Sequence, residues 1–269
     1  RKDTAVSLTK TDAYRFNDQH VSAFAEGQVG LQDQPWASYF MFSSAYSFRY
    51  DEVQHGRRVI KRPGAETNTQ LSSFIQRLKY KHQLFKNLEL DYHGILSFTE
   101  QVVDDSTSTL YDWNGNILPI RNNRGAEILP RPTDRVGHTL GTTHRAGLNY
   151  QFNEAISFAL SDFYSFSRLD GRDPYGIRLK QGEVLVDPNT IPSYFRKNIL
   201  GAEVSSTWLD QALSMVGFFK HYHYRAESID IMQERADRVL TRMNQNNDHG
   251  YGLALKYSFS PNLFLRSNY

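Results

Sequence analysis

Cysteine is absent from all 269 residues. Disulfide frameworks, thiolate metal sites and cysteine nucleophiles are excluded together. A chain that crosses an oxidising compartment also gains from carrying no stray thiols. No apolar run approaches the roughly 20 residues that a membrane-spanning helix needs. An excess of one charge is missing too: 31 Lys and Arg stand against 29 Asp and Glu, a net of +2. Nothing in that balance points to nucleic acid as a partner. No apolar segment follows Arg1-Lys2-Asp3, so no signal peptide opens the chain. The expectation is a processed start or a cut inside a longer chain.

What is present is aromatic and periodic. Aromatic residues make up 13% of a chain whose mean hydropathy is only −0.58. In a strand, residues i and i+2 share a face, and this alternation dominates the sequence. Leu88, Leu90, Tyr92, Gly94, Leu96 and Phe98 make one face of Leu88–Val102, against Glu89, Asp91, His93, Ser97, Thr99 and Gln101, with Ile95 the one exception. The same pattern predicts strands over Val21–Leu31, Trp36–Tyr50, Ser72–Tyr80, Thr142–Phe152, Ile156–Phe166, Leu200–Trp208, Leu213–Arg225, Tyr251–Phe259 and from Leu263 onward. Two residues break it. Asp162 falls on the apolar parity of its strand, and Lys220 does so under one phasing of Leu213–Arg225. A β-bulge would shift the parity, and Lys220 can also snorkel.

The connections alternate between short and long. The short ones are Gln32–Pro35, His82–Asn87, Asn153–Ala155, Leu209–Ala212 and Ser260–Asn262, with turn-forming Asp, Asn and Pro. The long ones are 51–70, 103–141, 170–197 and 226–248, and 1–18 is loop-like. Short periplasmic turns and long extracellular loops belong to outer-membrane barrels. That direction sets Trp36 and Trp208 near the periplasmic interface and Tyr50, Tyr222 and Tyr224 near the outer one, as aromatic girdles require. In hydrocarbon every backbone polar group must pair within the protein, which strands achieve only in a closed barrel. The expected fold class is therefore all-β, a transmembrane antiparallel β-barrel contributing about ten consecutive strands. An open edge in lipid is costly, so strands beyond this chain are expected at both ends.

Several stretches carry a family resemblance. They are Leu78-Lys79-Tyr80-Lys81 through Leu88-Glu89-Leu90, the loop Tyr111-Asp112-Trp113-Asn114-Gly115-Asn116, and Leu148-Asn149-Tyr150-Gln151-Phe152-Asn153 with Ile156-Ser157-Phe158-Ala159-Leu160. Phe218-Phe219-Lys220-His221-Tyr222-His223-Tyr224-Arg225-Ala226-Glu227 and Gly250-Tyr251-Gly252 through Tyr269 complete the set. In these, from about Asp18 onward, the chain resembles the barrel region of TonB-dependent outer-membrane receptors. The resemblance implies a 22-strand barrel, an N-terminal plug domain and a TonB box in the whole protein. It also implies energy from a TonB–ExbB–ExbD complex. The plug and roughly half the strands are not in this sequence.

Asp104, Asp105, Asp112 and Asn114, with Asp170 and Asp173, suit either Ca²⁺ loops or ordinary turns; no ligand set is complete, so no metal site is assigned. His221 and His223 share a strand face and suit a divalent metal or a structural role. Ser157, Ser161, Ser165 and Ser167 share a face without a Gly-x-Ser-x-Gly elbow, so no catalytic residue is assigned. Arg57, Arg58, Lys61 and Arg62, and Arg121, Arg124, Arg131 and Arg135, make basic clusters that suit lipopolysaccharide phosphates, an anionic ligand or solvent. Loops this long are usually functional or disordered, and exposed aromatics favour contact. The ligand-binding candidates are therefore Tyr111, Trp113, Arg121, Arg124, Tyr175 and Tyr194.

The function expected is a segment of an outer-membrane transporter in a Gram-negative bacterium, taking up a scarce nutrient: a siderophore, cofactor, oligosaccharide or peptide. Lipopolysaccharide and a surface lipoprotein are expected partners; no cofactor and no enzymatic step are. The rivals are a stand-alone small barrel enzyme, a protease or lipase, and a surface β-rich binding protein.

Overall fold

The computed structural model describes residues 15–54, 66–107, 109–118, 125–126, 132–181, 183–230, 241–260 and 263–268. The strands are β1 (His20–Gln34), β2 (Ala37–Glu52), β3 (Asn68–Phe85), β4 (Leu88–Asp105), β5 (Thr133–Gln151) and β6 (Ile156–Arg172). They continue with β7 (Leu179–Gln181), β8 (Val184–Val186), β9 (Ser193–Trp208), β10 (Leu213–Ile229), β11 (Thr241–Ser260) and β12 (Leu263–Asn268). Ten of them form one antiparallel sheet in the order β1-β2-β3-β4-β5-β6-β9-β10-β11-β12, with β7-β8 a separate hairpin. Every main-sheet strand pairs with its neighbour along the main sheet, and the sheet is not closed on itself. The fold is thus all-β, with the ten strands the alternation predicted.

The strands are longer than expected. β5 starts within the predicted loop 103–141, β6 and β9 run into 170–197, and β10 and β11 into 226–248. The reason is local: Thr133–Thr139, Arg168–Arg172 and Thr241–His249 each hold a single larger apolar residue, Val136, Leu169 and Met243. The apolar–polar contrast that reveals a strand is absent there. The turns are tighter than expected. Pro35-Trp36 alone joins β1 to β2, and Lys86-Asn87 alone joins β3 to β4 after a register shift between Gln83 and Phe85.

Directly paired residues share a face, so the registers show how the apolar residues combine. Phe40 pairs with Tyr80, and Tyr80 with Tyr92. Leu148 pairs with Leu160, Leu160 with Ala202, Ala202 with Phe219 and Phe219 with Tyr251. One face of the sheet carries the apolar set across all the strands, and the other carries Ser, Thr, Gly and charged residues. The apolar band is oblique. Its foot is Phe40 on β2, Leu88 on β4, Ile156 on β6, and Trp208, Leu213 and Tyr257 on β9–β11. Its top descends likewise, from Tyr50 through Phe98 and Phe166 to Leu200 and Phe219. A slope of roughly one to two residues per strand, at ~3.3 Å per residue and ~4.8 Å between strands, makes the strands cross the band at a tilt of roughly 35–50°.

Among the described residues this sheet has no second layer to bury that face. Val29, Phe85, Leu160, Leu200 and Tyr251 are all exposed, and among the described residues the buried apolar side chains are few: Ala37, Ala45, Leu110, Ala126 and Leu179. A contiguous apolar face of this extent is left for something outside the chain to cover.

Parity resolves the two exceptions. Asp162 stays on the apolar face, paired with Ala146 and Leu200 with no bulge beside it. Lys220 lies on the polar face opposite Gly201 and Gly250, while Phe219 takes the apolar side. Tyr222 and Tyr224 also lie on the polar face, opposite Ile199 and Lys197. They are therefore not girdle residues, whereas Tyr50, paired with Val21 and Gln70, does lie on the apolar face.

Candidate functional site

Three groups of polar side chains gather on the polar face or at its long-loop end. The first seals the joints between strands. Asn17 Nδ2 donates to the Thr67 carbonyl at 3.1 Å, and Thr67 Oγ1 donates to Asp105 Oδ1 at 3.2 Å. Asp105 is only 1% exposed, so this bonding offsets the cost of burying a carboxylate. Beside it Tyr111 Oη donates to Glu66 Oε1 at 3.1 Å, tying the loop after β4 to the approach to β3. Asp112 closes that loop: its carboxylate accepts from the amides of Asn114 and Asn116 at 2.9 Å each and from Asn116 Nδ2 at 3.1 Å. The Asn116 side chain, then the Asn116 and Asn114 amides, hold the Asp112 carboxyl below its ordinary range.

The second group is the folded connection from Asp173 to Pro192. Asp173 Oδ1 accepts from the amides of Asp134 and Tyr175 at 3.3 and 3.1 Å, fastening the connection to the start of β5. Asp187 caps a short 3-10 helix, Pro188–Thr190. Its Oδ2 accepts from the Asp173 amide at 2.7 Å and lies 3.4 Å from Arg178 Nη1. Burial pushes the Asp187 carboxyl up, but the Asp173 and Asn189 amides, the Asn189 side chain and the Arg178 guanidinium together bring it below its ordinary range. Under this connection lies a cavity of about 360 Å³ lined by Gln101, Arg135, Gly137, Asn189, Ser193 and Ser228 among others. Its size falls at the low end of small-ligand sites. Gln101, Arg135, Gly137, Ser193 and Ser228 all point from the polar face, and Asn189 comes from the helix above them.

The third group lies mid-sheet. A hollow of about 350 Å³ is lined by Glu89, Asp91, Arg145, Asn149, Glu203 and Lys220 among others. Lys81 Nζ pairs with Glu89 Oε1 at 3.0 Å, and Arg77 Nη1 with Glu26 Oε1 at 3.0 Å. His93, paired in register with Lys79 and Arg145, has a buried Nε2 without a hydrogen-bond partner among the described residues. A charged face of this kind suits water, an internal polypeptide or a passing solute.

The structure distributes the predicted ligand residues rather than gathering them. Tyr111 and Trp113 belong to the loop after β4, and Tyr111 is engaged by Glu66. Tyr175 is 52% exposed in the turn that Asp173 organises. Tyr194 is a strand residue on the apolar face of β9, stacked on Phe166 at 6.3 Å, and not a loop residue; Ser193–Ile199 mixes aromatic and charged side chains on both parities, so alternation does not mark the start of β9. Arg121, Arg124, Arg57, Arg58, Lys61, Arg62 and Arg131 lie outside the described residues. Arg135, by contrast, is a β5 residue in the cavity wall. The partners Gln101, Ser193 and Ser228 carried no signal in the sequence, since their proximity depends on register alone. Among the described residues no group of three or more His, Asp and Glu could hold a metal ion. His221 faces His249 directly, and His223 Nδ1 meets Asn247 Oδ1 at 2.6 Å.

The architecture defines a class: an antiparallel sheet of consecutive, tilted neighbours with one apolar and one polar face. No protein-family model matches the chain, and no curated protein sequence does. Among solved structures, the fold is similar to the ferric yersiniabactin uptake receptor FyuA from Yersinia pestis, with a TM-score of 0.54 and 7% identity. The similarity covers 93% of this chain and 37% of that one, so the chain spans well under half of the receptor's length.

Proposed function

We propose that this chain is part of the wall of an outer-membrane barrel in a Gram-negative, TonB-dependent uptake receptor. The observation that carries the reading is the oblique apolar band. A soluble sheet covered by a second layer has no reason to shift its apolar rows steadily from strand to strand. A planar slab of hydrocarbon demands that shift wherever strands tilt. On β4 the band runs from Leu88 to Phe98, about 33 Å along the strand and about 25 Å along the membrane normal at a tilt near 40°.

Lipid also explains the missing partners of the sheet. Among the described residues the outer edges of β1 and β12 have no neighbouring strand, and each unpaired backbone group costs several kcal/mol in hydrocarbon. Further strands would close the barrel, 22 in all under the family resemblance. The polar face would then line the lumen and meet a plug driven by TonB–ExbB–ExbD. The cavity under the Asp173–Pro192 connection and the exposed Tyr175 would stand at the outer mouth, where a scarce nutrient is first bound. A surface lipoprotein would contact the same loops. Uptake by binding and gating involves no covalent step. The likeness to an uptake receptor supports the fold portion of this reading.

Single cysteines introduced at Leu90 and Asp91 test it, since the chain contributes no other thiol. In native membranes a lipid-confined quencher should reach a probe at 90 and a water-soluble reagent the probe at 91. Equal water access at both positions overturns the membrane reading.

A further inference from the structure

We infer that the apolar face carries a docking site for one phosphorylated acyl lipid of the outer leaflet, built by β4, β5, β6, β9 and β10. The inference rests on the membrane reading above. Its starting point is an unusual pair: Arg196 on β9 and Arg225 on β10 stand directly opposite each other on the apolar face. Like charges in directly paired positions repel. Arg168, on the same face, is by contrast neutralised by Asp170 at 2.7 Å. Arg225 has only a 3.5 Å contact to exposed Glu227, and the Arg196 guanidinium lies 5.7 Å from the Phe166 ring centroid. No carboxylate pairs with Arg196 among the described residues. Two guanidinium forks side by side are the arrangement a phosphate accepts, through parallel charge-assisted hydrogen bonds.

The residues below the pair extend the match. Asn198, next on the same face, donates from Nδ2 to Asp162 Oδ1 at 2.7 Å. This is the one carboxylate inside the apolar band of β6, and a polar pair there suits an amide or hydroxyl group presented from outside. Below it is a trough of about 450 Å³ on the apolar face, lined by Leu90, Leu148, Leu160, Leu200, Ala202 and Phe219 among others. Ala146 and Ala202 form it by being smaller than their neighbours. From Leu200 to Arg196 the strand rises about 13 Å. Trough, polar pair and guanidinium pair thus follow one another towards the long-loop end. An outer-leaflet lipid has the same order: acyl chain, amide or hydroxyl linkage, phosphate. Protein partners match the charges but not the trough, and free phosphate matches the charges alone.

The full-length natural protein, purified from outer membranes in mild detergent, is to be examined by native mass spectrometry and phosphorus analysis. About one phosphorylated lipid per chain is expected on the wild type. R196Q and the double variant R196A/R225A should lower its occupancy about tenfold, the loss of one or two charge-assisted hydrogen bonds, and R49A on the polar face should not. Heat-modifiable migration confirms that each variant is folded. Delipidated protein should rebind a bis-phosphorylated acyl glycolipid in micelles, bind its dephosphorylated form about tenfold more weakly, and keep the lipid in millimolar inorganic phosphate. Equal lipid on folded wild-type and variant protein overturns the site, as does displacement by inorganic phosphate. Recovery of the wild type in the aqueous fraction instead overturns the membrane reading, which separates the two failures.

Discussion

The Tyr80 hydroxyl donates a hydrogen bond to the Trp36 carbonyl at 2.7 Å, tying the short-turn part of β3 to the turn between β1 and β2. Trp36 also stands edge-on to Phe40 with ring centroids 5.4 Å apart. These three aromatics lie at the short-turn margin of the apolar band. There a ring with one polar atom can satisfy both phases. Tyr80→Phe should therefore keep the fold but lose about 0.5–1.5 kcal/mol of stability in urea titration. An unchanged unfolding midpoint would mean that water replaces the bond at no cost.

Charge should be tolerated on one face only. Leu90→Arg puts a guanidinium into the apolar band and should cost about 2–4 kcal/mol if the residue sits near the bilayer midplane. Asp91→Arg, one residue on, faces Lys81 and Gly147 on the polar side and should cost much less. Equal costs from equilibrium refolding into vesicles would contradict the assignment of faces.

Two glycines separate packing from propensity. A Cβ on Gly171 would run into the Val136 carbonyl on β5, a backbone atom that cannot swing aside. Gly171→Ala should open the upper end of the β5–β6 pairing and destabilise by about 1–3 kcal/mol. Gly217 meets nothing within 4 Å at that position, so Gly217→Ala should be neutral or slightly stabilising by removing unfolded-state freedom. Hydrogen exchange at Gly137 and Thr139 reads the first effect directly.

The connection over the cavity should loosen in acid. Asp187 is held below its ordinary carboxylate value in the folded connection. Its contribution is therefore complete above the unfolded value of about 4 and disappears as pH falls through the lowered folded value. Protease nicking between Asp173 and Pro192 should stay constant from neutral pH down to about 4 and rise below it. Asp187→Ala should show the fast nicking at every pH, through loss of the helix cap and of the bond from the Asp173 amide. A variant nicked no faster than wild type at neutral pH would remove Asp187 from this role.

Period-two alternation alone carried the strand count, the two faces and the sorting of connections into short and long, because side-chain direction in a strand depends only on residue parity. It failed at the strand ends around Thr133–Thr139 and Thr241–His249, where one apolar residue apiece, Val136 and Met243, gives parity too little to contrast. It also misplaced Tyr222 and Tyr224, since residues of mixed character around Phe218-Phe219 allow either phase. Only pairing register decided that Arg196 faces Arg225, that Gln101, Arg135 and Ser193 share a cavity, and that Asp162 stays on the apolar face beside Asn198. Those relations join residues tens of positions apart in the chain. Local sequence sets which way a side chain points, whereas its level against the next strand is set by the hydrogen-bond ladder of the whole sheet.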